Sequence, residues 1–152
     1  MGYRWTDKQI ENRKSANRKS QIPLFPFGYG LSYTTFKLGK VTADKQEMTA
    51  DDKITFTLPV TNTGSVAGAE TIQLYVSDLQ SSVERPVKEL KAFRKVFLQP
   101  GETKQVSLTI DRSALSFYND QTGQWTAEPG EFRALIGTSS NNIINDSKFR
   151  LK

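Results

Sequence analysis

Ile54, Phe56, Leu58 and Val60 alternate with Thr55, Thr57, Pro59 and Thr61, and this alternation constrains the fold of the chain more than any other feature. Successive side chains on a strand point to opposite faces, so a period of two describes a strand with one apolar and one wet face. Burying those four apolar side chains is worth about 1.5–3 kcal/mol each before conformational entropy is subtracted. Pro59 has no N–H to offer a neighbouring strand, which predicts an edge position or a bulge at that point. Asn62-Thr63-Gly64-Ser65 then supplies turn chemistry.

The same period recurs downstream. Ile72, Leu74 and Val76 alternate with Gln73, Tyr75 and Ser77, and Val106, Leu108 and Ile110 mark a further strand. Between them, Leu90, Phe93, Val96 and Leu98 break strict alternation, which predicts a bulged strand. Pro100-Gly101 forces a turn. Phe117-Tyr118, a polar turn over 119–123 and Trp125 follow, and Pro129-Gly130 turns the chain again. Phe132, Ala134 and Ile136 line one face of a late strand, and Phe149 and Leu151 close the sheet. About seven short strands with turn signals between them, and no helix-period segment, predict an all-β sandwich over 37–152.

The residues before it differ in kind. Residues 1–22 carry six basic and two acidic side chains, against 15 and 14 in the remaining 130, and NRKS occurs at 12–15 and again at 17–20. Residues 10–22, polar and without an apolar period, read as an exposed basic loop. Residues 23–36, PLFPFGYGLSYTTF, hold two prolines, two glycines and five aromatics. Such a segment forms no regular helix, and its aromatics need a surface to cover them, so it reads as an irregular connector pressed against a neighbour.

Composition narrows the chemistry. The chain has no cysteine and no histidine. Disulfides, thiolate metal sites and histidine-activated nucleophiles are therefore ruled out. The net charge of +5 is concentrated in the first 22 residues, which argues against a nucleic-acid footprint on the folded part. No apolar run reaches the roughly 20 residues a membrane-spanning helix needs.

PLFPFGYGLSYTTF closely resembles the linker that precedes the fibronectin type III-like domain of family 3 glycoside hydrolases. The resemblance continues in order through VTNTGSVAGAETIQLYVSD (60–78), RPVKELKAFRKVFLQPGET (85–103) and EPGEFRALIGTSS (128–140), while GYRWTD (2–7) looks like the end of the preceding domain. It implies a fibronectin type III-like, immunoglobulin-like sandwich from the C-terminal part of an exo-acting, retaining β-glucosidase or β-xylosidase, periplasmic or extracellular. The catalytic barrel and α/β sandwich domains of that parent would be its partners. The family's nucleophilic aspartate and acid/base carboxylate belong to those domains, and no part of this sequence matches them.

The chain's own acidic residues offer no substitute. A retaining glycosidase needs two carboxyl groups about 5–5.5 Å apart. Asp51-Asp52 reads as a solvated turn, Glu84 and Glu89 as surface salt-bridge partners around Arg85-Pro86, and Asp111, Asp120 and Glu128 as turn residues. No catalytic residue, metal ligand or cofactor is expected. Tyr3, Arg4, Trp5, Phe25, Phe27, Tyr29 and Tyr33 are the expected docking residues. Arg85 joins them if its carboxylate partner lies across an interface; a partner within the domain fits the sequence equally well. Trp125 either packs over the sandwich core or contacts sugar in a carbohydrate-binding module. A free-standing immunoglobulin-like interaction module is a third reading, and it leaves the aromatic connector without a use.

Overall fold

The computed structural model describes residues 33–152. Eleven strand segments and one short helix follow in chain order: β1 (Phe36–Leu38), β2 (Thr42–Ala43), β3 (Glu47–Met48), β4 (Lys53–Asn62), β5 (Gly68–Asp78), β6 (Glu89–Leu98), β7 (Thr103–Asp111), a 3-10 turn (Arg112–Leu115), β8 (Phe117–Asn119), β9 (Gln124–Thr126), β10 (Gly130–Ser139) and β11 (Asn142–Leu151). Of the six long strands, β4, β5, β7 and β10 are those whose period-two pattern is visible in the sequence. The 3-10 turn is not; Asp111 caps it by accepting a hydrogen bond from the Ser113 amide.

Two sheets face each other. In one, β4 pairs with β7 along one edge and with β1 and β2 along the other; the second runs β3-β11-β10-β5-β6. Ile54, Phe56, Leu58 and Val60 are fully buried between them, opposite Ile72, Leu74, Val76, Phe132 and Phe149. Phe149 meets Phe56 edge-on at 5.8 Å and stacks on Phe132 at 5.7 Å. The wet face of β4 is held by hydroxyl pairs to β7, Thr55 with Thr109, Thr57 with Ser107 and Thr61 with Thr103.

Pro59 corrects the edge half of its expectation, while the irregularity is there: across the gap between β1 and β2 the pairing with β4 slips by one residue, from Leu38 opposite Val60 to Thr42 opposite Thr57. β4 is an interior strand, and its pairing with β7 runs without a register shift. The backbone groups of Pro59 point away from β7, because its carbonyl accepts from the Gly39 amide at 2.8 Å. That spot lies between β1 and β2. The Gly39 carbonyl, which would have taken a hydrogen bond from residue 59, accepts instead from the Asn145 side-chain amide at 2.8 Å. Asn145 Oδ1 in turn accepts from the Val41 amide. A residue without an N–H thus sits where none is wanted.

The predicted bulge in β6 is present as a register shift against β5 between Leu74 and Tyr75. The strand β5 departs from a simple one-faced pattern, since Gln73 and Tyr75 are buried as well as Ile72, Leu74 and Val76. Tyr75 donates its hydroxyl to Gln73 Oε1, and Gln73 Nε2 donates to the Thr138 carbonyl. Strand β1 begins at Phe36, and Thr34 and Thr35 are already tied to the sandwich through Asn62 and Thr63.

Candidate functional site

One end of the sandwich gathers most of the side chains that could carry chemistry. The loop between β5 and β6 and the short ribbon β8–β9 enclose a cleft of about 680 Å³. The loop is held by a local polar bond and by distant ones to Glu128. Asp78 accepts from the Gln80 amide, and Glu128 accepts from both the amide and the hydroxyl of Ser82. Those bonds from Ser82 hold the Glu128 carboxyl below its usual range.

Arg85 forms the floor. Its Nη1 donates to Asp78 Oδ2 at 3.1 Å and to the Leu115 carbonyl at 3.0 Å, while Nη2 donates to Glu89 Oε1 at 3.4 Å. Lys91 Nζ approaches the other oxygen of Glu89 at 3.3 Å. The guanidinium also lies 5.5 Å from the centre of the Phe117 ring. Of the two pairings open to Arg85, the structure holds the intradomain one. Its partners are buried, which corrects the surface salt-bridge reading of Glu89. In a low-dielectric setting such a cluster resists the loss of any member far more than a surface pair does.

The ribbon forms the wall. Tyr118 pairs directly with Trp125 across β8–β9. Asn119 Oδ1 accepts from the Gln121 amide, the Asn119 carbonyl accepts from the Gly123 amide, and Gly123 takes a positive φ of 66° that only glycine adopts freely. Phe117 is buried beneath, whereas Trp125 is 73% and Tyr118 52% exposed. Their rings meet at 71° with centres 5.8 Å apart. Trp125 therefore does not pack over the core, which corrects that branch of the expectation.

The remaining candidates stand elsewhere. Tyr33 is 99% exposed at the start of the described residues, and Tyr3, Arg4, Trp5, Phe25, Phe27 and Tyr29 lie outside them. Asp52 caps a turn by accepting from Thr49, and Asp111 caps the 3-10 turn, as turn residues do. Among the described residues no group of three or more Asp or Glu side chains is placed to hold a metal ion. No helix there is long and apolar enough to cross a membrane.

Asp78 and Glu89 are the buried carboxylates of the site, and both serve as acceptors for the same guanidinium. Glycosidic cleavage needs one carboxyl group free to donate a proton and a second free to attack. Arg85 occupies both Asp78 and Glu89 instead. Sequence reasoning missed Asp78 and Phe117 as partners of Arg85, although the i,i+4 spacing of Arg85 and Glu89 was open to view.

Comparison with known proteins places this geometry. Residues 70–140 match the fibronectin type III-like domain family. β-Glucosidase BoGH3A of Bacteroides ovatus is 51% identical over 143 residues, a match covering 94% of this chain and 18% of the relative. A periplasmic β-glucosidase of Salmonella typhimurium is 50% identical over 125 residues, covering 82% of this chain and 16% of that protein. The crystal structure of a β-glucosidase from Kluyveromyces marxianus superimposes with a TM-score of 0.83 at 43% identity, covering 99% of this chain and 17% of that one. The chain thus spans less than a fifth of the length of each of these relatives.

Proposed function

Because the chain is a fibronectin type III-like domain of the kind carried by β-glucosidases of glycoside hydrolase family 3, we propose that it is a non-catalytic accessory domain of a longer β-glucosidase. In this reading it docks on the catalytic barrel and α/β sandwich domains of that protein and stabilises them. The observation that carries the reading is a pair of exposed phenylalanines on the outer face of β6, on either side of Lys95. Val96 and Leu98 point into the core, so Phe93 and Phe97 project from the opposite face, where they are 70% and 55% exposed. Two exposed phenylalanines in line on a sheet face call for a covering surface, and the remaining four-fifths of a β-glucosidase chain supplies one. Arg85 contributes by locking the loop that leads into β6, and Tyr33 by standing free where the connector enters.

The parent would hydrolyse terminal β-linked glucose by a retaining mechanism, with its reacting carboxylates on the other domains. The periplasmic relative supports a parent working in the periplasm or outside the cell. Assaying the purified 152-residue chain on aryl β-glucosides and aryl β-xylosides tests the non-catalytic part. No turnover above background is expected, and activity that co-purifies with the chain overturns the reading.

A further inference from the structure

We propose that the cleft between the β8–β9 ribbon and the 82–86 loop binds a neutral β-linked gluco-oligosaccharide, with one pyranose ring against Trp125 and Tyr118. This site is separate from the docking face, since neither Phe93 nor Phe97 lines it.

Four features select that ligand. Trp125 and Tyr118 stand roughly at right angles, which makes an open aromatic corner rather than a closed pair. A pyranose with all its hydroxyls equatorial has flat C–H faces that suit such a ring and a rim of hydroxyls around them. Glucose and xylose in β linkage have that shape.

The rim of the cleft matches the hydroxyls. Ser82, Glu84, Asn119, Asp120 and Gln121 line it with hydrogen-bonding groups, and Val83 and Pro86 are the aliphatic residues among its lining. An apolar peptide would need the reverse proportion.

The floor favours a neutral ligand. Arg85 and Lys91 already face Asp78 and Glu89, so their charge is balanced inside the protein and holds little attraction for a phosphate or carboxylate.

The platform is also preorganised. The Gly123 turn, the Asn119 side-chain cap and the buried Phe117 under Arg85 fix the ribbon before any ligand arrives, so little ordering is needed on binding. The volume of about 680 Å³ falls within the roughly 300–1,000 Å³ usual for small-molecule sites.

The test is an NMR titration of the ¹⁵N-labelled 152-residue chain with cellotetraose, and with maltotetraose as the α-linked comparator. The Trp125 indole N–H is resolved from that of Trp5 by substitution. Saturable shifts at 82–85 and 118–126 and at the Trp125 indole are expected, with cellotetraose binding more tightly than maltotetraose. Trp125→Ala should weaken binding about tenfold while leaving the melting temperature unchanged, because the ring is exposed. Asp120→Ala provides a second, milder weakening on an intact fold. The proposal is overturned by no saturable shift, by shifts elsewhere on the sandwich, or by binding that Trp125→Ala retains. It is also overturned if Trp125 of the longer protein is shielded from acrylamide quenching, since the ribbon would then be a domain contact. None of these outcomes bears on whether the Phe93–Phe97 face docks.

Discussion

The side-chain amide of Asn62 donates to the carbonyl of Leu98 at 3.1 Å, joining the end of β4 in one sheet to the end of β6 in the other. The same amide donates to the Val66 carbonyl, while Oδ1 accepts from the Thr34 hydroxyl and the Gly64 amide. The residue is fully buried and satisfies every site it has. Its backbone is also committed, to Glu102 and Gly101 of the β6–β7 turn. Asn62→Ala should cost about 2–3 kcal/mol, because the Leu98 and Val66 carbonyls, the Thr34 hydroxyl and the Gly64 amide all lose this side chain at a buried site. Urea unfolding of the two proteins measures the loss. A change below about 0.5 kcal/mol would mean that water replaces the amide.

Gly39 and Pro59 form a second matched pair. A Cβ on Gly39 would come within 2.4 Å of the Pro59 ring. Gly39→Ala should therefore destabilise the sandwich by about 1–3 kcal/mol, as overpacking does. In a Pro59→Ala background the ring is gone, and the same substitution should be nearly harmless. A double-mutant cycle on melting free energies reads the coupling directly, and additive losses would place the clash elsewhere.

Arg85→Met should destabilise by about 3–5 kcal/mol, since it leaves Asp78 buried without its cation and Glu89 with Lys91 alone. The triple substitution with Asp78→Asn and Glu89→Gln should recover part of that loss. Arg85→Lys should fall short of the original, because an ammonium cannot reach Asp78, Glu89 and the Leu115 carbonyl with one planar fork. Chemical denaturation at neutral pH orders the three variants.

Glu70 supplies a pH dependence. Burial pushes its carboxyl above the ordinary value, and the hydrogen bond from the Thr71 amide offsets only part of this. The folded state therefore favours the protonated form. Its contribution is fully present below the unfolded-state pKa and is lost as pH rises through the folded one. Glu70→Gln should raise the melting temperature at pH 7 and leave it nearly unchanged at pH 4. Equal shifts at both pH values would assign the effect to packing instead.

Much of the sandwich was legible in the sequence because a one-sided strand writes its burial into alternate residues, as Ile54 to Val60 do. Tyr75 shows the limit. Its face of β5 is buried too, and a period of two cannot distinguish a wet tyrosine from a covered one. An edge position for Pro59 was wrong for a related reason: its missing N–H excludes a partner at one residue only, and β1 and β2 leave a gap, with a one-residue slip in register, beside it. The Arg85 cluster depends on Asp78 and Phe117, which lie 7 residues before it and 32 after it, and local spacing does not report such contacts. Trp125 was the opposite case. Its type suggested a core residue, but the polar turn that makes its ribbon keeps it outside.

Docking on the catalytic portion is the central claim, and a thermal-shift titration in trans tests it most directly. The catalytic portion of the parent β-glucosidase, prepared without this domain, is melted alone and with increasing amounts of the 152-residue chain. The melting temperature should rise saturably with added chain, and Phe93→Ser with Phe97→Ser should abolish the rise while the variant chain keeps its own fold by circular dichroism. A catalytic portion whose melting is unmoved by an excess of folded chain would contradict the claim.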